Sequence, residues 1–285
     1  MAGPGVSIVV ITRNRRDGLL RTLPRLLALP DAAETIVVDN ASDDGTVQAV
    51  RTAHPSVRMV ALEENRGAAG RNAGVAVASQ PYVAFADDDS WWEPGALMMA
   101  AGLLDAHPRL AVLAGRVVVG ENRVTDPTCV AMGESPLPEA ADLPGRSVLG
   151  FVACGAVVRV APFLAVGGFD EMLGVGGEER LLATDLTVAR WGVCYSPEVV
   201  AVHMPSPVRD RERRRRRLVR NDLWHVWLRR RRRSAVRATL RVVIASSDAT
   251  VRAGLVDALR SLPVVLRRRQ PVPIEIERQF QLIDT

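Results

Sequence analysis

Three consecutive carboxylates, Asp87, Asp88 and Asp89, end the apolar run Tyr82-Val83-Ala84-Phe85-Ala86 and lead into Ser90-Trp91-Trp92. Like charges crowded at a strand end repel one another unless a cation neutralises them. Residues two apart on an extended strand point to the same side, so this spacing lets Asp87 and Asp89 converge while Asp88 turns away. Two hard oxygen ligands suit Mg2+ or Mn2+, with phosphate oxygens and water completing the octahedron, and the chemistry implied is a metal-bound diphosphate. The competing reading is local: Asp89 or Ser90 caps a helix that begins near Glu93.

Other residues with chemical capacity also stand at the ends of apolar runs. Thr12-Arg13-Asn14-Arg15 follows VSIVVI, Asp39-Asn40-Ala41-Ser42-Asp43-Asp44 follows ETIVV, and Asn65-Arg66-Gly67 follows VRMVAL. Glu178 and Glu179 come after Gly174-Val175-Gly176-Gly177, and His203 ends VCYSPEVVAVH. A strand-end carboxylate such as Asp39 accepts N–H and O–H donors well, although Asp43 and Asp44 also fit a turn and helix cap. The glutamate pair supplies a general base or is ordinary acidic chemistry at a helix start, and His203 is a ligand or a structural strand-end histidine.

The elements that must position these groups alternate. Short β-branched runs at VSIVVIT, ETIVVDN, VRMVAL, YVAFADD and LAVLAGRVVV are separated by helical segments near residues 16–29, 44–53, 67–78 and 93–106. This βαβα order predicts a mostly parallel sheet covered on both faces, with ligands held outside the carboxyl ends of its strands. Pro24 is expected to kink or shorten the first helix. The Pro- and acid-rich stretch 121–146 reads as an irregular excursion, after which order returns.

The chain has 285 residues and a hydrophobic content of 48%, enough for a large core and an appendage. All 37 basic residues are Arg, clustered at 213–217, 229–233 and 267–269, for a net charge of +5. Cys129, Cys154 and Cys194 form no paired framework, which suits a reducing compartment. No apolar stretch is long enough to span a bilayer, so the expectation is a cytoplasmic protein. Trp224, His225 and Trp227 between two Arg runs make either a basic amphipathic surface for anionic lipid at the membrane or a helix packed on the main domain.

Taken in order, SIVVITRNR, IVVDNASDDGT, ENRGAAGRNAG, YVAFADDDSW, GGFDE, GGEE and VVAVHMPSP resemble a family 2 glycosyltransferase of the GT-A fold over about residues 6–205. The resemblance implies an α/β, Rossmann-like fold with a mostly parallel central sheet. It places a glycosyltransferase domain at 1–206, with a nucleotide-sugar half at about 1–120 and an acceptor half at about 147–206, while the shift to Arg-rich composition after Pro207 marks 207–285 as a helical extension. It assigns Thr12, Arg13, Asn14, Asp39, Arg71, Asp87 and Asp88 to the nucleotide sugar. Asp87, Asp89 and His203 fall to Mn2+ or Mg2+, and Glu179 or Glu178 to the base of an inverting transfer. The base aligns with Glu179, where the family's second acid is usually Asp. A UDP- or dTDP-sugar is the implied donor, and the acceptor is a glycan, a lipid-linked sugar or a natural product. Two alternatives remain. A nucleotidyltransferase also sets carboxylates at strand ends, and the Arg runs suit a nucleic-acid binder, although that would leave the acidic groups without a role.

Overall fold

The computed structural model describes residues 5–205 and 211–284. Its first half follows the βαβα order: β1 (Val6–Thr12), α1 (Arg16–Leu27), β2 (Ala32–Asp39), α2 (Thr46–Ala53), β3 (Arg58–Ala61), α3 (Gly70–Val77) and β4 (Tyr82–Asp87). After these come β5 (Ser90–Trp92), α4 (Ala96–Ala106), β6 (Leu110–Val119), β7 (Val124–Thr125), α5 (Pro127–Gly133), β8 (Arg146–Ser147), β9 (Ala156–Arg159), α6 (Val160–Ala165), α7 (Glu178–Val188) and β10 (Gly192–His203). The principal strand order is β3-β2-β1-β4-β9-β6-β10-β5.

The mostly parallel sheet expected from the sequence is parallel across β3, β2, β1 and β4, and mixed beyond. A parallel pair needs a crossover long enough to bring the chain back to the same end. Only Asp88 and Asp89 separate β4 from β5, and β5 pairs antiparallel with β10. In the parallel half Thr12 lies opposite Asp39, and Ile11 opposite Asp87, so the polar strand ends share one edge.

α1 runs through Pro24 for a further turn to Leu27, because Leu19, Leu23 and Leu26 anchor it in the core. The 121–146 excursion contains β7, α5 and β8. α5 begins on an Asp-Pro signal, with the Asp126 side chain accepting from Thr128 N at 2.8 Å and Pro127 in the first turn. Phe85, Phe163 and Phe169 pack with ring centroids 5.4 to 5.8 Å apart beneath the site.

The C-terminal segment is helical: α8 (Arg211–Arg229), α9 (Arg232–Ile244), α10 (Ala249–Arg260), α11 (Leu262–Arg267) and α12 (Ile274–Ile283). The boundary expected at 206–207 lies outside the described residues. Trp224 and Trp227 are buried with Leu173, Leu181, Leu223 and Leu228 in a second apolar cluster, so they are not surface anchors. Their indole nitrogens donate to Ala258 O (3.1 Å) and Thr239 Oγ1 (2.9 Å), which satisfies them indoors. Part of the arginine is structural as well: Arg229 pairs with Asp185, and the buried Arg230 with Glu277.

Candidate active site

The loops after β1 and β2 are sewn together. Asn14, in the left-handed region at φ 52°, accepts from Asp43 N through Oδ1 at 2.9 Å and donates its own N–H to Ser42 Oγ at 2.9 Å. Asn tolerates that backbone better than most side chains. Arg13 beside it is exposed, and Thr12 is buried. Asp39, also buried, accepts from Ser42 N through Oδ2 at 2.9 Å, while its buried Oδ1 has no partner. Such an acceptor is rare in a folded protein and marks a place where a ligand donor can sit.

Asn40 pins the next loop, accepting from Arg66 N and donating to Gly67 O, both at 2.8 Å. Sequence reasoning gave Asn40 no role, although an Asn after a strand-end acid commonly ties down turns. Gly67 has φ +59° and a Cβ there would lie 2.6 Å from Gly174 O, so only glycine lets this loop meet the turn before α7. Asn72 on α3 makes a second tie, donating to Phe169 O at 2.8 Å and accepting from Phe169 N at 3.0 Å.

The three aspartates diverge. They do not cap α4, whose N-cap is Gly95; Asp87 ends β4 and the other two form the turn into β5. Asp87 pairs with the buried Arg71 through Nη2. Asp88 turns toward α1, accepting from Thr12 Oγ1 at 3.0 Å and Arg15 Nε at 3.3 Å. Burial and its two acidic neighbours push the Asp88 carboxyl up to about 7, against the pull of Arg15 and Thr12. Asp89 Oδ1 lies 3.2 Å from His203 Nε2, and its Oδ2 3.6 Å from Arg15 Nη2. The β5–β10 register sets Ser90 opposite His203, which brings the turn and the imidazole together. Arg15, unassigned from sequence, thus bridges two of the three acids.

Among the described residues no three His, Cys, Asp or Glu side chains form a ready metal cage. Asp87, expected with Asp89 and His203 at the metal, is here the counter-ion of the buried Arg71 guanidinium. Glu178 is buried at 3% exposure with an unpartnered Oε2, and burial followed by repulsion from Glu179 pushes its carboxyl up to about 8. Glu179 is half-buried. Burial raises its carboxyl too, while Arg71 and the Ala153 N–H draw it back. A cavity of about 600 Å3 between α1 and Trp91 takes in Asp88 and Asp89 but none of Asp39, Arg71 and Glu179. It therefore opens on the α1 side of the triplet, reaching Asn14 and Asp88 of the expected donor groups but neither Glu178 nor Glu179.

The family model for glycosyl transferase family 2 matches residues 7–166, more than half of the chain. The chain belongs to this family. The pre-mycofactocin glycosyltransferase of Mycobacterium tuberculosis is 31% identical to this family 2 chain over 212 residues, covering 70% of it and 42% of the relative. The succinoglycan biosynthesis protein ExoU of Rhizobium meliloti is 35% identical over 96 residues, 32% of this chain and 28% of that protein. The chain thus spans less than half the length of either relative. Among solved structures, the mannosyltransferase PcManGT from Pyrobaculum calidifontis, in complex with GDP-Man and Mn2+, gives a TM-score of 0.63 at 22% identity, over 94% of this chain and 73% of that one. S. aureus TarS in complex with UDP-GlcNAc gives 0.59 at 19% identity, over 78% and 66%. The fold of this family 2 chain is GT-A.

Proposed function

We propose that this chain moves a sugar from a nucleoside-diphosphate sugar to an acceptor hydroxyl, with inversion and with the help of Mn2+ or Mg2+. The observation that carries the reading is the pair Asp89 Oδ1 and His203 Nε2, 3.2 Å apart at the edge where Asp39 keeps a buried acceptor free. Neighbouring ligands of an octahedral ion with bonds of about 2.1 Å lie about 3 Å apart, so these two atoms fit as adjacent ligands. One carboxylate oxygen and one imidazole nitrogen suit Mn2+ well and leave room for diphosphate oxygens and water. When bound, the ion supplies Lewis-acid stabilisation of the departing diphosphate.

The chain's own groups do the rest. Asp39 Oδ1 accepts an N–H or O–H of the nucleoside, and the Asn14–Ser42–Asp43 ties hold that loop in register. Arg71 keeps Asp87 oriented through Nη2 and offers an unpartnered Nε in the same region. Glu179 takes the acceptor proton: it is the more exposed of the pair, and although burial raises both carboxyls against the pull of Arg71, Glu178 is the one buried at 3% exposure. A positioned base of this kind contributes about 10^2 to 10^4 in rate, or roughly 3 to 5 kcal/mol of barrier.

PcManGT with GDP-Man and TarS with UDP-GlcNAc support a nucleotide-sugar donor, and a UDP- or dTDP-sugar remains our first choice. The acceptor is a glycan, a lipid-linked sugar or a natural product. Thermal melts against a panel of UDP-, dTDP- and GDP-sugars, each with and without Mn2+, test the reading. One donor class should stabilise the protein in a metal-dependent way. Stabilisation by none of them, with any divalent ion, sinks it.

A further inference from the structure

We infer that α9 is a docking surface for an anionic lipid bilayer. Val236, Leu240, Val243 and Ile244 are 59%, 55%, 46% and 82% exposed, a concentration of large aliphatic side chains that water does not favour. Their spacing of four, three and one puts all four on one side of the helix. Ala235, Ala238, Thr239 and Val242 occupy the opposite side, with Ala235 in the second apolar cluster and Thr239 accepting from the Trp227 indole. The helix is therefore anchored by its small-residue side and presents its large apolar side outward.

Charge decides what that side fits. Arg232, Arg233, Arg237 and Arg241 are exposed around the apolar stripe, and α9 contains no acidic residue. None of the four forms an ion pair among the described residues, whereas Arg215, Arg216, Arg229, Arg230 and Arg268 in the same helical segment all have carboxylate partners. Four uncompensated guanidinium groups call for an anionic surface, and the aliphatic stripe calls for one with an apolar layer beneath the charge. A bilayer of anionic lipids supplies both, with the arginine stems lying along the acyl boundary and their heads among the phosphates. Nucleic acid would match the charge and leave Leu240 and Ile244 in water. The surface goes beyond the transfer reaction and does not depend on it.

Co-sedimentation of the full chain tests this, using vesicles of phosphatidylcholine alone and of phosphatidylcholine mixed with phosphatidylglycerol, at low and physiological salt. The protein should pellet with the mixed vesicles, more at low salt, and stay in solution with phosphatidylcholine. Leu240→Asp and Ile244→Asp should each lower partitioning by about tenfold or more. Arg237→Gln and Arg241→Gln should cost about fivefold each and flatten the salt dependence. All four positions are exposed, so melting temperature and metal-dependent donor binding should match the parent chain. The inference is overturned if the parent chain ignores anionic vesicles at low salt, or if these variants bind as it does. It is also overturned if light scattering shows a dimer that Leu240→Asp turns into a monomer, since a second copy would then cover the face.

Discussion

Arg71 donates to Asp87 through Nη2 only, and its Nε, equally buried, has no partner. Asp87, Glu178 and Glu179 all act on this one guanidinium, which holds its proton more firmly than usual despite burial. Removing it would leave Asp87, Glu178 and Glu179 without the cation that each of them acts on. Breaking a buried pair costs about 3 to 5 kcal/mol, and the one-third exposure of Asp87 moderates that. We expect Arg71→Met to lower the melting temperature by roughly 5 to 10 °C and to weaken nucleotide affinity at least tenfold. Thermal melts and calorimetric titration check both, and a parent-like affinity would remove Arg71 from the donor site.

Metal dependence should divide the triplet unequally. Asp89→Asn and His203→Ala are expected to abolish Mn2+-dependent binding of a nucleoside diphosphate. Asp88→Asn keeps that dependence, because its side chain faces Thr12 and Arg15. Asp87→Asn should weaken the same binding through Arg71. Calorimetry with UDP, dTDP and GDP, with and without Mn2+, separates these outcomes, and unchanged metal dependence in Asp89→Asn would falsify the site.

The two glutamates predict different kinetics and a pH signature. Glu179→Gln should cut turnover by about 10^2 or more with donor affinity kept, while Glu178→Gln falls less. Glu178 binds a proton in the fold up to about pH 8, against 4.5 as the ordinary value. Between those limits the folded state holds more protons than the unfolded one, so stability declines as pH rises. Urea unfolding of Glu178→Gln should lose that part of the decline and show the variant more stable than the parent at pH 8. Near-wild-type turnover in Glu179→Gln would exclude it as the base.

Acid should loosen the C-terminal helices through His225. Its Nε2 lies 3.1 Å from Thr184 Oγ1, and burial with Arg180, Arg230 and Arg229 nearby holds its proton affinity well below the ordinary 6.5. The unfolded chain takes up a proton below that value and the fold does not, so stability present above pH 6.5 is lost as pH falls. His225→Leu should flatten this acid limb, and Thr184 Oγ1 still has Arg180 O at 2.7 Å. An unchanged acid limb in the variant would place the sensitivity elsewhere.

Gly67→Ala tests the loop contact. With φ +59° and backbone 2.6 Å from the added carbon, the loop or the turn at Gly174 must shift. We expect a loss of about 2 kcal/mol or more in stability and weaker nucleotide binding. Parent-like melting would show that the two segments separate without cost.

What the sequence determined by itself was local. Hydrophobic period marked β1, β2, β4 and β6 and the helices between them, since each must bury one face, and polar residues at several strand ends marked one edge of the sheet. Tertiary structure decided how those ends face one another. The acids of the triplet were expected to alternate as on a strand, yet β4 stops at Asp87 and the turn sends Asp88 to Thr12 and Asp89 to His203. Trp224 and Trp227 were open between surface and interior, and their burial follows from helices far along the chain closing over them. The apolar side of α9 became visible only once Ala235 and Thr239 were packed and Leu240 and Ile244 were not. Spacing along a chain reports which residues can share a side of an element; which side meets a partner depends on contacts distant in sequence.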